Sequence, residues 1–213
     1  MWNTILFDLD GTLTDSQQGI INAISYALEH FGEHMERGEL RKFIGPPLME
    51  SLPEYCGFSQ EKSREVIAKF KEYYQVKGWL ENAPFPGIPE LLRDLKEAGR
   101  QLLVATSKPE KMAVQVLEHF ELAQYFDQIC GAPPQDPDTA KKADMIRNAL
   151  RYAKDTSNVV MVGDRRHDVA GAQETGLPCI GVLHGYGGRE ELENAGAAFI
   201  AEDMDGLRRL LLG

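Results

Sequence analysis

Thr4-Ile5-Leu6-Phe7-Asp8-Leu9-Asp10-Gly11-Thr12 runs from a short apolar segment directly into two acids and a glycine. The β-branched, aliphatic and aromatic residues at its start read as a buried strand, and the glycine after the second acid marks where the chain turns away. Side chains two apart on a strand share a side, so Asp8 and Asp10 face one reacting group if the strand continues through them. If the chain instead turns at Asp10, its carbonyl can reach a cation and its carboxyl is left to move protons. Under either geometry one carboxylate can attack a phosphoryl group while its neighbour protonates the leaving oxygen and later activates water. The competing reading is an Asp-rich turn that only caps the next helix. The rest of the chain decides between them.

The 213 residues are 43% hydrophobic, enough for one large domain or a domain with an insert. A formal net charge of -10 argues against a nucleic-acid partner and against an anionic membrane surface. An anionic substrate therefore has to meet positive charge gathered locally. The first strand begins within a few residues of Met1, leaving no room for a signal peptide, and no apolar run nears membrane-spanning length. A cytoplasmic protein with no membrane partner is expected, as a monomer or weak homodimer. Cys56, Cys130 and Cys179 are odd in number and far apart, and read as small buried apolar residues in a reducing compartment.

Short apolar runs alternate with amphipathic stretches, the pattern of a parallel sheet covered on both faces by helices. Strands are predicted at 4–7, 101–106, 128–130, 159–162, 179–182 and 198–200. Between the first two lies a strandless stretch of helical periodicity, with Ile20, Ile21, Ile24 and Leu28 on one face and Val66, Ile67, Phe70 and Tyr74 on another. It is too long for one crossover helix. Residues 16–82 are therefore expected to form an inserted all-helical cap, left through Ala83-Pro84-Phe85-Pro86-Gly87, with 1–15 and 83–213 as the core.

Open parallel sheets bind ligands at the carboxyl ends of their strands. The second predicted strand ends in Thr106-Ser107-Lys108-Pro109, where a hydroxyl and backbone amides can meet a phosphoryl oxygen; a helix cap is the alternative. Beyond a loop from Gly131 to Thr139, Lys141-Lys142 opens a helix and offers a point charge. The next strand ends in Gly163-Asp164-Arg165-Arg166-His167-Asp168, a second acid pair four residues apart. Four strand ends thus carry, in order, an acid pair, a hydroxyl, a lysine and another acid pair.

These four motifs resemble those of the haloacid dehalogenase superfamily, in the same order and over essentially the whole chain. The helical insert is similar to the α-helical cap of its phosphoglycolate phosphatase-like branch. The resemblance implies an α/β fold, a doubly wound Rossmann-like parallel sheet carrying the cap. It implies Asp8 as nucleophile, Asp10 as general acid and base, Thr106 as phosphate-binding hydroxyl and Lys142, ahead of Lys141, as the charge-balancing lysine. Mg2+ would be held by Asp8, the Asp10 carbonyl and Asp164, with Asp168 in support. Gly11, Thr12 and Ser107 are expected at the phosphate, and Gly45, in the stiff turn Ile44-Gly45-Pro46-Pro47-Leu48, at the substrate.

The implied activity is Mg2+-dependent hydrolysis of a small phosphorylated metabolite, phosphoglycolate first, through an aspartyl phosphate. A phosphomutase would use the same residues, and a non-catalytic phosphate-binding protein would keep only the site. A dehalogenase would do without Asp10, and a phospho-receiver module would lack the helical insert. Arg165, Arg166 and His167 read as a solvated turn, the aromatic stripe of the later cap helix as the cap's own core, and His184, in a glycine loop near the strand ends, as a candidate lining residue.

Overall fold

The computed structural model of the chain describes residues 2–134 and 141–213. Its elements run β1 (Thr4–Phe7), α1 (Gln17–His30), α2 (Leu48–Cys56), α3 (Gln60–Tyr74), α4 (Ile88–Glu97), β2 (Gln101–Pro109), α5 (Glu110–His119) and β3 (Gln128–Ala132). They continue with α6 (Lys142–Leu150), β4 (Val159–Gly163), α7 (Arg166–Glu174), β5 (Cys179–Val182), α8 (Arg189–Ala195), β6 (Phe199–Ala201) and α9 (Met204–Leu212). Short 3-10 turns lie at Glu39–Phe43, Gly78–Leu80 and Ala123–Tyr125.

The strands pair in parallel in the order β3-β2-β1-β4-β5-β6. This is the doubly wound order, and the strand sequence reverses between β1 and β4. Both faces are covered, which is why the strands read as continuous apolar runs. Ile5 and Phe7 join Leu102, Val104, Val160 and Val162 in one core layer. Leu6, Leu103 and Met161 join Ile146 and Val169 in the other. The register pairs Ile5 with Leu102 and Val160, and Leu6 with Leu103 and Met161, so each layer is built from side chains of one parity.

Four strands differ from expectation, β4 by running one residue further, to Gly163. β2 runs on to Pro109, because after an irregularity beyond Ala105 it pairs again with Ala132. Thr106 and Ser107 therefore sit on strand backbone, and Pro109 precedes α5 in the capping position. β3 correspondingly takes Gly131 and Ala132 from the predicted loop, of which residues 135–139 lie outside those described. β6 begins one residue later than expected.

The helical insertion between β1 and β2 builds a core of its own from Ile20, Ile24, Leu40, Phe43, Leu52 and Val66. Its two connections lie side by side: Thr14 bridges Pro84, Asp15 N donates to the Ala83 carbonyl at 2.7 Å, and Phe85 N donates to the Leu13 carbonyl at 3.0 Å. Cys130 and Cys179 are buried as expected, while Cys56 is only half-buried at the end of α2. Among the described residues, no helix is long and apolar enough to cross a membrane.

Candidate active site

The first acid stays anchored to the sheet. Asp8 N donates to the Val162 carbonyl at 2.9 Å, after which the chain turns, with Gly11 N donating to the Thr14 carbonyl at 2.8 Å and Leu13 N to the Leu9 carbonyl at 2.9 Å. Gly11 takes φ +90°, and a Cβ there would lie 2.3 Å from the Asp164 carboxylate. Glycine is required both for the dihedral and for the close approach. The turn gives the two acids separate partners.

Asp8 faces Lys142, the first residue of α6. Lys142 Nζ lies 2.6 Å from Asp8 Oδ1 and 2.8 Å from Asp168 Oδ1, and it donates to the Ala105 carbonyl at 3.2 Å. Lys141 is exposed in the capping position, so Lys142 is the lysine that reaches the acids. Asp168 has a second task. Its Oδ2 accepts from Asp164 N at 3.1 Å and Arg165 N at 3.0 Å, closing the turn between β4 and α7 as one half of a capping box. Asp164 is fully buried; its Oδ2 accepts from Tyr186 N at 2.8 Å and its Oδ1 from the Thr12 hydroxyl at 3.4 Å.

One oxygen each from Asp8, Asp164 and Asp168 falls within 4.8 Å of the others, all three residues being buried. Three buried carboxylates against one lysine are electrostatically unbalanced. Burial pushes the Asp8 carboxyl up to about 6, opposed by Lys142 and reinforced by Asp168. Burial, then Asp168 and Asp8, hold Asp164 well above the usual carboxylate range. Burial pulls Lys142 down, but Asp168 and Asp8 outweigh it and keep the ammonium charged. An all-oxygen cluster with surplus negative charge fits a hard divalent cation.

Asp10 meets a different lysine. Lys108 Nζ donates to Asp10 Oδ1 and Oδ2 at 3.1 and 2.9 Å and to the Tyr74 hydroxyl at 2.6 Å. The Lys108 side chain is 5% exposed, and although burial pulls its pKa down, Asp10 and Tyr74 raise it above the ordinary lysine value. Neither Lys108 nor Tyr74 is among the site residues the sequence points to. Tyr74 reads from the sequence as part of the cap's own core, and its ring does pack there, but its hydroxyl reaches Lys108 at the end of β2. The available signal for Lys108 was its spacing of two residues from Thr106 at a strand end.

A cavity of about 270 Å³ lies above these groups, with Asp8, Asp10, Thr106, Ser107 and Lys108 on one side and helical-insert residues including Phe43, Gly45, Phe70 and Tyr74 on the other. Of the expected site residues, Asp8, Asp10, Thr106, Ser107 and Gly45 line it. Lys142 and Asp168 contact Asp8 or each other outside the lining, and Gly11 and Thr12 pack on Asp164. The Asp10 side chain is absent from the acid cluster, consistent with a carbonyl rather than a carboxylate role at any cation.

Arg165 corrects the expectation of a solvated turn. It is buried: Nη1 donates to the Ile44 carbonyl, and Nε donates to Glu191 Oε1 at 2.9 Å. The residue next to Asp164 thereby grips the turn that carries Gly45. Arg166 is exposed, as expected. His184 does not line the cavity; its Nε2 lies 3.0 Å from the Thr12 carbonyl and its ring packs on Phe85, bracing the first motif from behind.

The haloacid dehalogenase-like hydrolase family model matches residues 5–182, and the chain belongs to that family. A 5'-nucleotidase of Pseudomonas aeruginosa is 38% identical over 97% of this chain and 94% of its own length. The tyrosine-protein kinase PtkA of Mycobacterium tuberculosis is 39% identical over 97% of this chain and 72% of its own. A crystal structure of a predicted phosphatase from Clostridium acetobutylicum superposes with a TM-score of 0.95 at 43% identity, covering 100% of this chain and 99% of that one. Relatives of nearly equal identity bear names for different activities, so identity alone does not transfer a substrate.

Proposed function

We propose that the protein is a Mg2+-dependent phosphomonoester hydrolase that works through an aspartyl phosphate on Asp8. The observation that carries this reading is Asp8 itself: a cavity-lining carboxylate backed by Lys142 and by two further buried acids. Asp8, Asp164 and Asp168, with the Asp10 carbonyl, would hold Mg2+, which when bound supplies the positive charge that lets a phosphate dianion approach.

A carboxylate oxygen of Asp8 forms the new bond to phosphorus as the bond to the alcohol oxygen breaks. Asp10 gives the departing alcohol its proton, then takes one from the water that attacks the aspartyl phosphate, and breakage of the Asp8 oxygen–phosphorus bond releases phosphate. Thr106 and Ser107 donate to the phosphoryl oxygens from the end of β2. Lys142 offsets charge on Asp8 without entering the cavity. Asp10 shares the Lys108 ammonium with Tyr74 of the helical cap, so closure, which excludes bulk water, also fixes the lysine that holds the proton donor.

The test is phosphate release from a panel of small esters, including phosphoglycolate, sugar phosphates and nucleotides, with Mg2+ or with chelator. Asp8→Asn should lower release by at least about 10⁴-fold while the protein stays folded. Release that survives chelation, or that persists near wild type in Asp8→Asn, rejects the reading. A stable phosphoprotein without release would instead favour transfer to a second hydroxyl.

A further inference from the structure

We infer that the alcohol of the phosphomonoester carries one planar apolar ring, aryl or heterocyclic, rather than a carboxylate. The inference rests on the phosphatase reading for where the phosphoryl group sits, and on the cavity for everything else. The part of the lining supplied by Phe43, Leu48, Ile67, Phe70, Tyr74 and Met112 is apolar or aromatic. Phe70 and Tyr74 stand four residues apart on α3, so they lie on one helix face. Their rings are nearly parallel, with centroids 5.2 Å apart and planes 14° apart. Phe70 is half-buried and lines the cavity. A flat ring set against it completes its burial and gains the offset or edge contacts that aromatic pairs favour.

The charges point the same way. Among the described residues, no arginine lines the cavity, and its lysines are Lys71 and Lys108. Lys108 is already engaged with Asp10 and Tyr74. A carboxylate on the alcohol would leave water for an apolar wall and would face Asp8 and Asp10, a desolvation that a neutral ring avoids. Size sets the limit. About 270 Å³ falls just under the ~300–1,000 Å³ usual for drug-sized ligands, so it suits one ring beside the phosphoryl group.

Binding and turnover test this separately. With Mg2+ present, calorimetry should find phenylphosphonate bound at least about tenfold more tightly than phosphonoacetate; neither compound has a cleavable ester. The reverse order, or equal affinity, overturns the proposal, and this comparison stands even if the protein hydrolyses nothing. In turnover, kcat/KM for phenyl phosphate should exceed that for 2-phosphoglycolate by a similar factor. Phe70→Ala should cut the ratio of phenyl phosphate to glycerol 3-phosphate about tenfold. A uniform loss on both esters would show that Phe70 only supports the fold, and would overturn its role. Uridine 5'-monophosphate, whose sugar and base make two rings, tests the size limit: its KM should lie at least about tenfold above that of phenyl phosphate, and an equal KM overturns the one-ring limit. A rate for 2-phosphoglycolate above both ring esters sinks the inference while leaving the phosphatase reading intact.

Discussion

Two buried lysines answer the two acids of the first strand end, and they are held by different parts of the molecule. Lys142 contacts Asp8, Asp168 and the Ala105 carbonyl, all on core elements around β1, β2 and β4. Lys108 contacts Asp10, also on the core, but shares its ammonium with Tyr74 of the helical insert. The first arrangement is complete in the core alone and survives any movement of the insert. In the second, the pair of Lys108 with Asp10 also lies within the core, and only the bond to Tyr74 requires the insert over the sheet. Charge balance at Asp8 is thus a property of the fold alone, whereas the lysine beside Asp10 is also tied to closure.

Lys142→Met probes the first arrangement. It removes the cation from between two buried carboxylates, and breaking such a pair from one side costs about 3–5 kcal/mol. Urea unfolding in chelator should show that loss. A change below about 1 kcal/mol would mean that the acids are already neutral without the lysine. The same cluster has a pH signature through Asp164. Its carboxyl is held well above the usual range by burial, Asp168 and Asp8, so the folded form binds this proton more tightly than the unfolded chain does. The group's contribution to stability is therefore present at low pH and is lost as pH rises above about 4, where the unfolded carboxyl ionises. In metal-free buffer, Asp164→Asn should gain in Tm relative to wild type as pH climbs from 4 to 8. Excess Mg2+ should reverse the order, because only wild type keeps the full acid set. A Tm difference that stays flat across pH would refute the charge argument.

The contrast also explains what was legible beforehand. Asp8, Asp164 and Lys142 announce themselves because each follows a buried strand or opens a helix, and the sheet converts position in sequence into position in space. The doubly wound order follows from the same alternation. Tyr74 carries no such mark. On α3 it falls in the apolar stripe with Val66, Ile67 and Phe70, and only its hydroxyl, at the far end of a ring otherwise packed in the insert, leaves that role. Arg165 departs from expectation for a related reason: an arginine in an acidic turn reads as solvated unless the Ile44 carbonyl from the insert is known to lie over it. The strand-end acids and Lys142 are readable from local pattern, whereas Lys108 on Asp10, His184 on Thr12 and the contacts between core and insert are not, because nothing local records how side chains meet across the sheet end or how a helical insertion docks.

Lys108→Met breaks the second arrangement outright. Asp10 loses its cation and Tyr74 its partner, so proton transfer and closure both suffer, and kcat should fall by about 10²-fold. Stability should change less than in Lys142→Met, because Asp10 lines the cavity and can regain water there. Equal losses of stability in the two variants would erase the distinction between a fixed site and an assembled one.

Tyr74→Phe is the finer cut. It keeps the ring and its stack on Phe70, and it leaves Lys108 on Asp10, removing one short hydrogen bond between the helical insertion and the end of β2. The expected cost is about 0.5–1.5 kcal/mol, taken from the closed state rather than from the core. Hydrogen exchange should therefore quicken in α3 and in the paired connections near Thr14 and Pro84, while β1 and β4 keep their protection. Combining the change with Lys108→Met decides what the hydroxyl does. If it acts only through the lysine, the double variant should match Lys108→Met in kcat, because the partner is already gone. A further drop in the double variant would instead mean that the hydroxyl touches the substrate directly, and closure would have to be assigned to Arg165 and its grip on the Gly45 turn.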